Sequence, residues 1–172
     1  YGVGEFDLAG VFNGSSSKIL VPSSPYPLGN SARSFSCWVK STNTTSNQTL
    51  IQYGTGNVNN NFFVFRLNGA NNSSLEFSQW GPSHSISAPS IFDGNFHNLI
   101  LTYNGSVIQF YLDGIALGSS YSASLNTQAG DAAIGSYTDG NVPLDGSIDQ
   151  VRIFNKALSS SEVTTLYNET AC

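Results

Sequence analysis

The sequence predicts an all-β protein, a two-sheet antiparallel β-sandwich closed by one short C-terminal helix. Three observations lead there. Hydrophobic and polar residues alternate with period two in run after run, the pattern of strands with one buried face. Gly, Asn and Asp separate these runs at short intervals, as in sandwiches. Only near the C-terminus does the apolar spacing become helical. With 172 residues, 40% of them hydrophobic, the chain can bury one real core.

The elements follow in order. Residues 1–10 carry Val3, Phe6 and Leu8, with Val11 just beyond. They read either as an arm that adds a strand to a neighbour's sheet edge or as the chain's own first strand. Residues 11–172 form the sandwich. In SFSCWVK, Phe35, Cys37 and Val39 face one way and Ser36, Trp38 and Lys40 the other. Phe63, Phe65 and Leu67 form a row in FFVFRL, and the loop 68–74 leads to LEFSQW, where Trp80 lies outside the Leu75/Phe77 row. Leu99, Leu101 and Tyr103 form the row of HNLILTY, which also holds His97 as a hydrogen-bonded packing residue. Asn104-Gly105 then predicts a two-residue hairpin into SVIQFYLD, with its Ile108/Phe110/Leu112 row, and Asp113-Gly114 predicts a turn into IALG. In SIDQVRIF, Asp149 shares the row of Val151 and Ile153. Ser159 and Glu162 form a capping box for the helix, Leu158 and Val163 stand at its staple positions, and Val163, Leu166 and Tyr167 share one face.

Composition narrows the function. Only 10% of residues are charged, the net charge is -5, and the 6 Lys and Arg residues form no cluster, which argues against a nucleic-acid partner. No apolar run approaches the ~18 residues of a membrane span, so membrane insertion is not expected. The chain starts at Tyr1 and contains no Met, as a processed, secreted or surface-exposed product would. Asn-x-Ser/Thr triplets at Asn13, Asn43, Asn47, Asn71, Asn72, Asn104 and Asn168 are candidate glycan acceptors, with Asn43, Asn47, Asn71 and Asn72 favoured because they fall in predicted loops. Such triplets also arise by chance in a chain this rich in Asn, Ser and Thr.

The segments NGSSSKILVP, SFSCWVK, FDGNFHNLILTYNGSVIQFYLDGIALG and GSIDQVRIFNKALSSSEVTTLYNE occur in this order. Together they resemble the laminin-G-like jelly-roll family, in the pentraxin-related branch of the concanavalin A-like lectin/glucanase superfamily. The resemblance spans Val11 to Glu169 and implies a jelly roll. Glucanases of that superfamily use an acidic E-x-D-x-x-E run, and no such run occurs here. The acids are scattered singly, His84 and His97 fall in different segments, and no zinc spacing or nucleophile elbow is present. An enzyme is therefore not expected.

Several residues are candidates for a site. In members of the superfamily the aspartate matching Asp149 holds a structural calcium with oxygens near the N-terminus, where Asp7 would contribute. Alternatively, Asp149 accepts backbone hydrogen bonds. A pentraxin-type ligand calcium would use the region of Asp139 and of Asn59–Asn61, but the surrounding glutamates are missing. Trp80, with Tyr53 and Tyr137, offers aromatic surface for stacking on a sugar ring, although each could equally be a packing residue. Cys37 occupies a position where pentraxins carry a cysteine, but the matching partner is absent. It is a buried hydrophobe, a partner of Cys172 in a disulfide, or reduced while Cys172 bonds another molecule. The first functional expectation is a non-catalytic extracellular adhesion or assembly module, a repeating subunit of a surface fibre, with copies of itself, surface proteins or glycans as partners. The alternative is a calcium-dependent or calcium-stabilised glycan-binding lectin domain.

Overall fold

The alternating runs become thirteen strands in two antiparallel sheets, seen in a computed structural model that describes residues 1–22, 26–55, 58–70 and 73–169. The strands are β1 (Gly2–Val3), β2 (Leu8–Asn13), β3 (Ile19–Val21), β4 (Arg33–Lys40), β5 (Asn47–Gly54), β6 (Phe62–Asn68), β7 (Ser74–Ser78), β8 (Ser83–Ser87), β9 (His97–Tyr103), β10 (Val107–Leu112), β11 (Ile115–Ser122), β12 (Ala132–Ile134) and β13 (Asp145–Phe154). Helix α1 (Ser160–Tyr167) follows. One sheet has the order β1-β2-β13-β4-β9-β10-β11 and the other β3-β12-β5-β6-β7-β8. The predicted sandwich with a C-terminal helix is what forms.

The inward rows meet between the sheets. Phe35, Cys37 and Val39 of β4 pack with Phe63, Phe65 and Leu67 of β6, Leu75 and Phe77 of β7, and Leu99, Leu101 and Phe110 from β9 and β10. Phe35 lies edge-on to Phe65 with ring centroids 5.8 Å apart. Cys37 is a fully buried free thiol whose pKa burial pushes up. Cys172, Asn71 and Asn72 lie outside the described residues. Arg33 is also fully buried. It donates to the carbonyls of Ser31 and Gly29 and to the hydroxyls of Tyr53 and Thr127, and its charge lies over the faces of Tyr53, Phe63 and Tyr103.

The outer face of the seven-stranded sheet is covered. Ser159 Oγ accepts from Glu162 N, and Glu162 Oε2 accepts from Ser159 N, which completes the capping box. Leu158, Val163 and Leu166 pack on Ile100 and Tyr111. Tyr167 stacks on Trp38 at 5.6 Å, and Phe6 meets Trp38 edge-on at 5.8 Å. Residues 1–10 form the chain's own sheet edge, with Val3 opposite Leu8 and Gly2 opposite Ala9, and β2 continues onto β13.

Two local expectations are corrected. At the β13 bulge Gln150 takes φ +50, and one extra residue separates the Asp149–Trp38 and Arg152–Ser36 pairs. This phase change puts Asp149 on the outer face with Trp38, while Val151 and Ile153 still pack on the core. The hairpin expected at Asn104-Gly105 lies one residue later, with Gly105 at φ +99, and Asn104 Oδ1 caps it by accepting from the N–H groups of Ser106 and Val107. Asp113 and Gly114 both take positive φ, as the turn into β11 requires.

His97 joins three elements. Its Nδ1 lies 2.8 Å from Asp113 Oδ2 and its Nε2 3.2 Å from Asp93 Oδ1. Desolvation lowers its pKa, but the hydrogen bonds and charges of Asp113 and Asp93 outweigh this and hold it above the usual 6.5. A raised folded pKa stabilises fully below the unfolded value near 6.5 and is lost as pH rises through the folded value. His97→Gln is therefore expected to destabilise the protein more at pH 5.5 than at pH 8.5 in parallel urea titrations, by about 1 kcal/mol or less. An equal loss at both pH values would contradict this.

Candidate functional site

The outer face of the six-stranded sheet is only partly covered. Because Phe63, Phe65 and Leu67 point inward, Phe62, Val64, Arg66 and Asn68 of β6 point outward. Register aligns Gln52, Val64 and Ser78 in one cross-strand row and pairs Arg66 with Glu76 further along. Phe62 and Trp80 extend the face on the other side of that row. The loop after β12 folds back over this surface. Together Gln52, Phe62, Val64, Ser78 and Trp80 with Tyr137, Thr138 and Asp139 of the loop line a pocket of about 130 Å³.

Polar side chains hold the loop in place. Arg66 Nη2 binds Glu76 Oε1 at 2.5 Å, and its Nη1 donates to the Tyr137 hydroxyl at 2.8 Å. The second Glu76 oxygen accepts from Asn68 Nδ2 at 2.5 Å. Thr138 is fixed at both backbone atoms, its N–H donating to Gln52 Oε1 at 3.0 Å and its carbonyl accepting from Lys18 Nζ at 2.8 Å. Asp139 accepts from the backbone N–H and side-chain amide of Asn141 at 2.9 and 2.8 Å. The wall of the pocket is thus pre-organised.

Two features set the pocket apart on this face. Gln52 is 3% exposed, and its Nε2 has no hydrogen-bond partner among the described residues. A buried donor without an acceptor costs about 1–3 kcal/mol, which a ligand oxygen reaching into the pocket would offset. Trp80 takes φ +60, a strained region for a non-glycine residue, yet 45% of it is exposed. Its ring lies 5.3 Å from Phe62 at 36°, giving a two-ring aromatic surface at the mouth.

The structure brings together two of the three aromatic candidates, Trp80 and Tyr137. Tyr53 points the other way. It is 1% exposed, stacks on Phe63 at 4.9 Å, and accepts from Arg33 Nη1 at 3.1 Å, while burial pushes its pKa up to about 12. It is a core residue and is not open to a ligand. Gln52, Phe62 and Arg66 were not foreseen as site residues. The doubled Phe62-Phe63 was the available signal, because one of two adjacent strand aromatics must face outward.

Asp149 lies away from this pocket, under the N-terminal hairpin. Its Oδ2 accepts from Phe6 N at 3.0 Å and its Oδ1 from Gln150 N at 2.8 Å. Asp7 is exposed at φ +65, and its carbonyl accepts from Gly4 N at 3.0 Å. The described residues contain no group of three or more His, Cys, Asp or Glu suited to a metal. Calcium takes six to eight oxygens, and here N–H donors already occupy both oxygens of Asp149, so the residues present fit backbone hydrogen bonding better than a cation. Of the candidate glycan acceptors, Asn13, Asn43 and Asn168 engage their Nδ2 with Ser16, Asp145 and Thr164, and Asn47 opens β5 with a buried Oδ1. Asn104 is exposed at a hairpin tip, with Nδ2 in no hydrogen bond among the described residues.

Residues 13–164 match the Laminin G 3 family, described as concanavalin A-like lectin/glucanases superfamily. No curated protein sequence matches the chain. Among solved structures, domain 4 of AbnA, an extracellular GH43 arabinanase from Geobacillus stearothermophilus solved with arabinotriose, is similar with TM-score 0.74 and 24% identity, over 98% of this chain and 80% of that one. A heptameric SAP-like pentraxin from Limulus polyphemus gives 0.72 and 15%, over 92% and 80%. The CBM40 of the Ruminococcus gnavus IT-sialidase gives 0.64 and 14%, over 90% and 97%. At these identities the likeness establishes the fold.

The loop anchor can be tested directly. Arg66→Ala leaves the Glu76 carboxylate, 5% exposed, without its cation. The expected loss is about 3 kcal/mol in chemical denaturation, with faster amide exchange at Tyr137–Asn141. An Arg66→Met/Glu76→Leu double variant should recover most of the stability but not the slow loop exchange. A single-variant loss well under 1 kcal/mol would contradict the anchoring role.

Proposed function

We propose that this chain, which belongs to the Laminin G 3 family of the concanavalin A-like lectin/glucanases superfamily, is a non-catalytic glycan-binding module whose site is the Trp80 pocket. The observation that carries the reading is the buried Gln52 Nε2, without a partner among the described residues, in a pocket that Phe62 and the exposed Trp80 also line. A sugar ring presents C–H groups on one face and hydroxyls around its edge. Trp80 and Phe62 suit the face, and Gln52, Ser78 and Asp139 suit the edge. At about 130 Å³ the pocket is smaller than the roughly 300–1,000 Å³ of drug-sized sites, which favours one sugar unit held with the rest of the glycan outside. The likeness to a domain solved with arabinotriose and to a sialidase CBM40 supports the same class and a secreted or surface location.

A binding role also fits the charges. Glycoside hydrolysis uses two carboxyl groups on either side of the scissile bond. Asp139 is the one carboxylate among the described residues that line the pocket, and Glu76 is neutralised by Arg66.

Assembly is a second reading, favoured by the exposed Tyr1, Val3, Leu8 and Val11 at the β1–β2 edge. It is tested by light scattering across a concentration series. Growth of mass that Val3→Lys abolishes would support it, and a constant monomer mass would remove it.

Trp80→Ala is expected to weaken glycan binding by about tenfold or more in calorimetry, a loss of about 1.4 kcal/mol, with the melting temperature little changed. Binding by the unaltered chain should be the same with calcium and with chelator, because Asp149 is engaged by backbone N–H groups. Undiminished binding by Trp80→Ala would move the site elsewhere.

A further inference from the structure

The pocket has a charge pattern as well as a shape. From it we infer that the site takes an uncharged sugar unit and rejects carboxylated ones, with Asp139 setting the choice, an inference that rests on the glycan-binding reading. Asp139 is exposed at the rim, and both of its oxygens are held by Asn141, so its negative charge has a fixed place. No cation is among the described residues that line the pocket. The Arg66 guanidinium beneath is engaged by Glu76 on one side and by the Tyr137 hydroxyl on the other. Lys18 Nζ is held on the Thr138 carbonyl and is not part of the lining.

A uronic or sialic carboxylate entering this space would lose water and meet a like charge. A buried ion without a counter-charge is strongly disfavoured, and like-charge contact is a standard means of excluding a wrong partner. A hydroxyl or ring oxygen has no such difficulty, and it can accept from Gln52 Nε2, a buried donor of the lining without a partner among the described residues. The donor serves any oxygen, ionised or not, so the choice of an uncharged one falls to the Asp139 charge.

The test uses glycans in matched pairs, each a neutral oligosaccharide and the same backbone bearing a uronic or sialic carboxylate. Binding is measured for the unaltered chain and for Asp139→Asn, Asp139→Ser and Trp80→Ala. The unaltered chain should hold the neutral member about tenfold or more tightly, with the gap narrowing as salt is raised. Either Asp139 variant should reduce the gap to about threefold or less. Two results would overturn the charge rule alone: the carboxylated member bound as tightly as the neutral one in a way that Trp80→Ala abolishes, or a gap left intact in both Asp139 variants. Binding to no member of any pair would remove the glycan-binding reading and the charge rule with it, and binding indifferent to Trp80→Ala would move the site elsewhere and overturn the charge rule at this pocket.

Discussion

The ion pair between Arg66 and Glu76 is the constraint on which the functional face depends. Strand alternation forces both side chains onto the outside of the six-stranded sheet, where the Glu76 side chain is nonetheless only 5% exposed. A carboxylate so buried needs a cation and a second donor, which Arg66 and Asn68 supply. The same guanidinium reaches on to Tyr137 and so positions the loop after β12. Gln52, which lines the pocket, does the equivalent one row away, with its amide oxygen on Thr138 and its amide nitrogen buried without a partner among the described residues.

The two outer faces of the sandwich thus differ in what covers them. On the seven-stranded sheet, α1 and Phe6 cover Trp38, Ile100 and Tyr111 with apolar contacts, and Asp149 fastens the N-terminal segment through backbone hydrogen bonds. That face is sealed by packing and acts in stability. On the six-stranded sheet the cover is a short polar loop that stops short of Phe62 and Trp80. Buried apolar surface is non-directional, whereas a hydrogen-bonded wall fixes atoms in place and can leave a donor free. The recognition chemistry proposed above accordingly sits on the face held by polar contacts.

Much of the fold was legible because it depends on local periodicity. The Phe35/Cys37/Val39 and Phe63/Phe65/Leu67 rows, the Asp113-Gly114 turn and the Ser159–Glu162 capping box are all features of a few adjacent residues. The site was far less legible. Trp80 and Tyr137 stood out as aromatics, but Gln52, Arg66 and Thr138 acquire their roles only from register between distant strands and from a loop whose path no local pattern specifies. Tyr53 resembled Tyr137 in sequence and differs only in the side of β5 toward which it points. Asp149 shows how one residue can reverse a reading: the positive φ of Gln150 adds a step to β13 and moves the carboxylate from the expected core row to the outer face.

The most direct measurement is an NMR titration with a neutral oligosaccharide, following the side-chain amide of Gln52 and the indole N–H of Trp80. Both resonances should shift together along one binding curve, the Gln52 Nε2 protons in the sense of a newly formed hydrogen bond, while the amides of Val163 and Leu166 in α1 stay in place. Shifts confined to α1 or to the β1–β2 edge, with Gln52 and Trp80 unmoved, would contradict a binding site on the six-stranded face.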